Sequence, residues 1–114
     1  MGSSPLVIGL DSSTQSTKAI AWNRAGEAVA EGRADIPMAN PQMDFFEQDP
    51  KDWWKSTVVA LKDCVAQLPE AAVSNIQGMA ISNQRETLGF MDENDEAAYP
   101  AIVWLDERAA DSRL

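Results

Sequence analysis

The sequence predicts one α/β domain in which a mixed sheet carries helices packed against it. Three observations point there. The first is element order: three β-compatible runs, one strongly signalled helix, then further strands, a pattern that sheet and helix layers around a shared core produce. The second is size, 114 residues and 12.4 kDa, enough for one compact unit that buries roughly two-thirds of its unfolded surface. The third is a composition of 45% hydrophobic and 24% charged residues, which excludes collagen, coiled coil and wholesale disorder.

Leu6 to Leu10 is a short apolar run ending on Asp11 and the polar cluster Ser12-Ser13-Thr14-Gln15-Ser16, a buried strand entering a loop. Thr17 to Trp22 is a second strand, Asn23 to Gly26 its turn, and Ala28 to Ile36 a third strand, together an antiparallel meander. Residues 37–48 show no period and read as a long surface connection. Asp49-Pro50-Lys51-Asp52 is a helix start: Asp49 caps, Pro50 suits the first helical position, and Asp52 favours the positive end of the dipole. The helix runs to about Gln67, with Trp53, Trp54, Thr57, Val58, Leu61, Cys64, Val65 and Leu68 at spacings of three and four facing a sheet, and Pro69 stops it. Trp22 is expected to face the core as well. Ile76 to Ile81 is a strand that again ends in polar residues, and Leu88 to Met91 is another, turning at Asp92 to Asp95. Ile102-Val103-Trp104 leads into Leu105 to Leu114, which reads as a helix opening.

Charge and residue usage narrow the chemistry. Nine Lys+Arg against 18 Asp+Glu give a formal charge of -9, which repels phosphate backbones and anionic lipid, so neither nucleic acid nor a membrane is an expected partner. No apolar run approaches the roughly 20 residues of a membrane span, and the N-terminus lacks the basic flank of a secretory signal. The single cysteine, Cys64, cannot form an intrachain disulfide, which fits a reducing, cytoplasmic location. The absence of histidine removes every Ser-His-Asp and Cys-His mechanism, leaving carboxylates or a bound metal to do any chemistry.

In mixed sheets ligands sit beyond strand ends, which directs attention to the polar segments after Leu10 and Ile81. In the first, a carboxylate at a strand end followed by a turn dense in hydroxyls and backbone N–H groups can hold Mg²⁺ with its waters while cradling phosphate oxygens. The plainer alternative is a polar hairpin with Asp11 making an Asx-turn. In the second, Ser82-Asn83-Gln84-Arg85-Glu86-Thr87, a guanidinium beside a carboxylate can donate to and accept from adjacent hydroxyls, as recognition of a sugar or polyol requires. An internal Arg–Glu pair is its alternative. Trp104, in Trp104-Leu105-Asp106-Glu107-Arg108, can press its ring on the C–H surface of a sugar or serve as a packing anchor.

Taken in order, Gly9 to Lys18, then Glu47-Gln48-Asp49-Pro50 with Trp53-Trp54, then Ile81 to Thr87, then Ala101 to Arg108, the chain resembles the N-terminal part of the FGGY-family carbohydrate kinases over residues 6–112. The resemblance implies a ribonuclease-H-like, actin/hexokinase-type domain and transfer of the γ-phosphate of ATP to a sugar or polyol hydroxyl, with Mg²⁺. It further implies that Asp11 is metal- and phosphate-linked, the metal held through water. Thr14, Gln15 and Ser16 fall on the phosphate loop, with Ser13 where many relatives carry Gly. Arg85 and Glu86 match the pair that binds substrate hydroxyls, and Trp104 matches the aromatic against the substrate carbons. The Asn83 to Thr87 string is nearer the glycerol kinase branch and the Trp104 to Arg108 string nearer the xylulokinase-like branch, so the substrate stays open between them.

By the same resemblance, residues 1–5 are a tail and residues 6–114 a partial domain truncated at its C-terminus. The catalytic aspartate and adenine-binding region are expected downstream, so the chain alone is expected to be inactive, and the parent's oligomeric state, homo-oligomer included, is open. Two other readings stand beside this one: a non-catalytic partner- or nucleotide-binding module of the same fold, and a nuclease using Asp11, Glu86 and Asp106 around two metals.

Overall fold

The computed structural model describes residues 4–110. Strands β1 (Leu6–Ser12), β2 (Ser16–Trp22) and β3 (Ala28–Asp35) form the expected antiparallel meander. Its second turn is built on Asn23, whose Oδ1 accepts the amide N–H groups of Ala25 and Glu27 at 3.0 and 2.9 Å. Gly26 there takes φ +82°, a left-handed conformation that costs glycine nothing for want of a Cβ. Helix α1 (Pro50–Ala66) starts where predicted, with the Asp49 carboxylate accepting the Lys51 N–H at 2.9 Å. It crosses the sheet over β2 and β3, and a single-turn helix α2 (Glu70–Val73) returns the chain into a further strand, β5 (Ile76–Asn83). This strand pairs in parallel with β1, giving the mixed order β3-β2-β1-β5.

The core lies between sheet and helix: Ile8, Leu10, Ala19, Ala21 and Ala30 from the strands against Ala60 and Cys64. The predicted helix stripe is rotated. Its centre is Ser56, Ala60 and Cys64, at i, i+4 and i+8, with Leu61, Val65 and Leu68 flanking it, whereas Trp54 is 71% exposed on the outer side and Trp53, Thr57 and Val58 are half-buried. The cause is closeness. A Cβ at Gly32 would lie 2.0 Å from the Ala60 carbonyl oxygen and 2.7 Å from the Cys64 nitrogen, so helix and sheet meet backbone to backbone and only small residues fit along the contact. Ser56 donates its one hydroxyl proton to the Trp53 carbonyl at 2.9 Å, so the buried Thr17 hydroxyl is the donor in their 2.7 Å contact, and both groups are satisfied without water. Trp22 also departs from expectation: it lies half-buried on the opposite face of the sheet, with its indole beside Gly9.

A second, smaller sheet has the order β4-β7-β6, from β4 (Glu47–Gln48), β6 (Leu88–Met91) and β7 (Ala97–Ile102). It amends the reading of residues 37–48 as a long surface connection, because the end of that segment is a paired strand. Residues 40–44 are exposed, but Ala39 bridges Glu47, and Glu47 and Gln48 pair with Ile102 and Ala101. Two paired residues are too short to show a period. Residues 105–110 form turns in place of the expected helix opening, because the side chains of Asp106 and Arg108 bond to one another and to β4 instead of facing solvent along a helix. The remainder of that expected helix, residues 111–114, and most of the expected tail, residues 1–3, lie outside the described residues.

The close approach makes Gly32 the most sensitive position in the main sheet. Gly32→Ala should destabilise the protein by about 2–3 kcal/mol, the scale of overpacking where neither backbone can give, read as a lowered urea midpoint with an unchanged slope. An unchanged midpoint would mean that α1 sits farther from β3 than described.

Candidate functional site

Parallel strands end on the same side of a sheet, and the β1–β5 pairing therefore sets the two polar segments next to each other. Asp11 stands opposite Ser82 and Ser12 opposite Asn83, and beyond the strands the Gln84 N–H donates to the Ser12 carbonyl at 3.0 Å. The first segment is a tight hairpin turn closed by the Ser13 N–H on the Ser16 carbonyl at 2.9 Å. Asp11 is exposed, and its Oδ1 accepts the hydroxyls of Ser13 at 2.9 Å and Ser82 at 3.3 Å, one from each segment.

Between the segments lies an open cleft of about 440 Å³, within the range of small-molecule sites. Asp11, Ser13 and Thr14 line one side, Asn83, Gln84, Arg85 and Glu86 the other, and Trp104 the end. The structure thus gathers Asp11, Thr14, Arg85, Glu86 and Trp104, all singled out from the sequence. Ser16 contributes its carbonyl to closing the turn, while the exposed Gln15 uses its carbonyl on the Ile36 N–H at 2.8 Å; neither is in the lining. Glu86 has φ 61°, a left-handed conformation that costs a non-glycine residue on the order of 1 kcal/mol and marks a segment held by its surroundings. Trp104 is 52% exposed, with its ring available to a ligand and its edge fixed: Nε1 donates to Thr14 Oγ1 at 2.9 Å and the backbone N–H to Thr87 Oγ1 at 3.3 Å.

Behind Trp104 is a charged clamp that sequence reasoning did not identify. Arg108 donates to Asp106 through Nε at 2.9 Å and Nη2 at 2.7 Å, to Glu47 at 2.8 Å and to the Tyr99 hydroxyl at 3.3 Å, and its guanidinium lies 4.0 Å over the Phe45 ring. Asp106 also accepts the Phe46 N–H at 2.6 Å, tying the Trp104 segment to β4. The hydrogen bonds from Arg108 hold the Asp106 carboxyl down from the ordinary 3.8 to about 2, and the two carboxylates push the guanidinium further up. The alternation of Glu47, Asp106 and Arg108 in two of the recognised motifs was the available signal. Burial pushes the Cys64 thiol up, consistent with an inert core cysteine.

The clamp weighs against the nuclease reading. Asp106 has a side chain only 1% exposed, and both of its carboxylate oxygens accept from Arg108 or the Phe46 N–H; among the described residues no group of three or more Asp, Glu, Cys or His side chains could hold a metal ion. The donor set at Asp11, one carboxylate among hydroxyls, fits instead a Mg²⁺ that keeps most of its ligands as water and phosphate. Among the described residues no helix is long and apolar enough to cross a membrane.

Comparison with known proteins gives the family and the fold. Residues 6–113 match the FGGY family of carbohydrate kinases, N-terminal domain. A glycerol kinase of Bradyrhizobium diazoefficiens is 36% identical over 106 residues, covering 92% of this chain and 21% of its own. A xylulose kinase of Streptomyces rubiginosus is 39% identical over 107 residues, covering 93% and 21%. The crystal structure of a xylulose kinase from Rhodospirillum rubrum superposes with a TM-score of 0.84 at 25% identity, over 93% of this chain and 22% of that one. The chain belongs to the FGGY family of carbohydrate kinases, through a match to its N-terminal domain, and has the actin/hexokinase-like α/β fold of that family. It spans about a fifth of the length of the curated relatives it matches.

The depressed carboxyl gives the clamp a pH signature. A carboxyl held lower in the folded than the unfolded state adds stability above its unfolded value near 4, and that contribution is lost as pH falls through about 2. The stability advantage of the wild type over Asp106→Asn, read from urea midpoints, should therefore shrink steadily from pH 5 to pH 2. Parallel curves would show that Asp106 is not held by Arg108.

Proposed function

We propose that this chain supplies the sugar-binding side and the phosphate turn of an ATP-dependent kinase acting on a sugar or polyol hydroxyl. The observation that carries the reading is the meeting, in one cleft, of a carboxylate-and-hydroxyl turn with a guanidinium, a carboxylate and an exposed indole face. Arg85 donates to substrate hydroxyls and Glu86 accepts from them, which fixes which hydroxyl faces the phosphate. Trp104 covers the C–H surface and excludes water from it. Asp11 would hold Mg²⁺ through water, with Thr14 and its turn beside the phosphate oxygens of ATP. The metal's contribution when bound is to neutralise charge developing on the transferred group. Relatives at similar identity are named glycerol kinase and xylulose kinase, so the acceptor is a short polyol or a pentulose-like sugar. A cytoplasmic location fits such substrates.

The base that orients the attacking hydroxyl belongs, on this reading, to the portion of the family's length that this chain does not span. Of the described aspartates, Asp92 and Asp95 sit in the β6–β7 turn, bonded within it, and Asp106 is committed to Arg108; none of these three lines the cleft. Phosphoryl transfer relies on positioning and charge, so half a cleft does not turn over. The 114-residue chain alone should show no sugar- or polyol-dependent ATP consumption, and turnover by it would refute this assignment. In the full-length protein, Arg85→Ala should weaken polyol or sugar binding by roughly 10–100-fold, the value of a hydrogen bond to a charged group. ATP affinity should stay within about twofold. Calorimetric titrations of each ligand decide it, and an equal loss of both affinities, or of neither, would remove Arg85 from substrate recognition.

A further inference from the structure

Gln48 is only 2% exposed, and both ends of its amide are used. Its Nε2 donates to the Thr14 carbonyl at 2.5 Å, and its Oε1 accepts the Trp53 indole N–H at 2.9 Å and the Gln84 side-chain N–H at 3.1 Å. From Gln84 the chain of bonds continues: Thr87 Oγ1 donates to Gln84 Oε1 at 2.6 Å and accepts the Trp104 N–H at 3.3 Å, and the Trp104 indole N–H returns to Thr14 Oγ1 at 2.9 Å. The bonds close a ring that runs once around the two loops of the cleft. Two members are anchored outside the loops: Trp104, which follows β7, and Gln48, which is buried in β4 and bonded to the first turn of α1.

We propose that Gln48 is a positioning residue that fixes the distance between the phosphate turn and the sugar loop through this ring. The inference rests on the kinase reading above and deepens it. Each loop makes its ligand contacts with its own residues, and Gln48 touches neither ligand. Its loss therefore leaves each ligand's affinity nearly intact and disturbs where the two ligands stand relative to one another. Misplacement on the order of 1 Å costs up to about 100-fold in rate.

The test is made in the full-length protein with Gln48→Leu, with Thr87→Val, which breaks the ring at a half-buried position, and with Gln67→Leu as control. Gln67 is likewise a bridging amide, donating to the Glu31 carbonyl and accepting its N–H at the far end of α1, away from the cleft. Gln48→Leu should lower kcat roughly 10–100-fold with dissociation constants for nucleotide and polyol held within about threefold. Thr87→Val should show the same split, and serves alone if Gln48→Leu does not fold. Gln67→Leu should lower the melting temperature and leave kcat unchanged. Exchange of the Trp104 indole N–H, assigned in ¹⁵N-tryptophan spectra with Trp104→Phe, should be slow in the wild type and faster in both ring variants. Unchanged kcat and exchange in the ring variants would overturn the proposal, as would affinity losses in proportion to kcat. A wild type that phosphorylates no sugar or polyol would refute the kinase reading instead, and the indole exchange would still decide for or against the ring.

Discussion

When β5 joins the sheet in parallel with β1, two polar loops far apart in sequence leave the same edge side by side, and every property of the cleft follows. An antiparallel β5 would send residues 83–87 to the opposite end of the sheet and leave Asp11 with a turn and nothing to face. Parallel pairing requires a crossover, and α1 provides it by lying across β2 and β3. The helix can do so because the contact is built from small residues: Gly32, Ala19 and Ala21 on the strands, Ala60 and Cys64 on the helix. A fold detail at Gly32 is thereby connected to the place where Arg85 and Glu86 stand.

The second sheet refines what the first makes possible. Strand β7 carries Trp104 to the mouth of the cleft, and β4 brings Glu47 to Arg108 and Gln48 to the two loops. Half of the site is held by charge and half by amides. The Asp106–Arg108–Glu47 cluster is an ion-pair network closed over an aromatic ring, and the Gln48 ring contains no formal charge. In the clamp one guanidinium answers two carboxylates, Asp106 and Glu47, so the cluster keeps one net negative charge.

Much of this architecture was legible in the sequence, and the exceptions have physical causes. The meander, the start of α1 and strand β5 were read correctly because each has a local signature: apolar runs bounded by turns, an Asp-Pro cap, a run ending in polar residues. The helix face was misjudged because hydrophobicity marks what can be buried, whereas the contact was decided by size, which favoured Ser56 and Ala60 over Trp54. Asp11, Arg85, Glu86 and Trp104 stand out in the sequence as candidates, and the topology brings them to one cleft. Gln48, Gln84 and Thr87 were not singled out for any such role. A buried glutamine in a two-residue strand carries no periodic signal, and its role exists only after three distant segments have met. Residues 105–110 read as a helix opening because the sequence pattern carries no sign of the tertiary partners that Asp106 and Arg108 find in each other and in β4.

The central claim is that one cleft, made by the ends of β1 and β5, receives both the sugar hydroxyls and the phosphate. The most direct measurement is a crystal structure of the full-length protein with a polyol or sugar and a non-hydrolysable ATP analogue bound. The account predicts hydroxyls within hydrogen-bond reach of Arg85 and Glu86, carbon atoms against the Trp104 ring, and the terminal phosphate beside the Asp11 to Thr14 turn. A sugar bound elsewhere, or a nucleotide whose phosphates lie away from that turn, would contradict it.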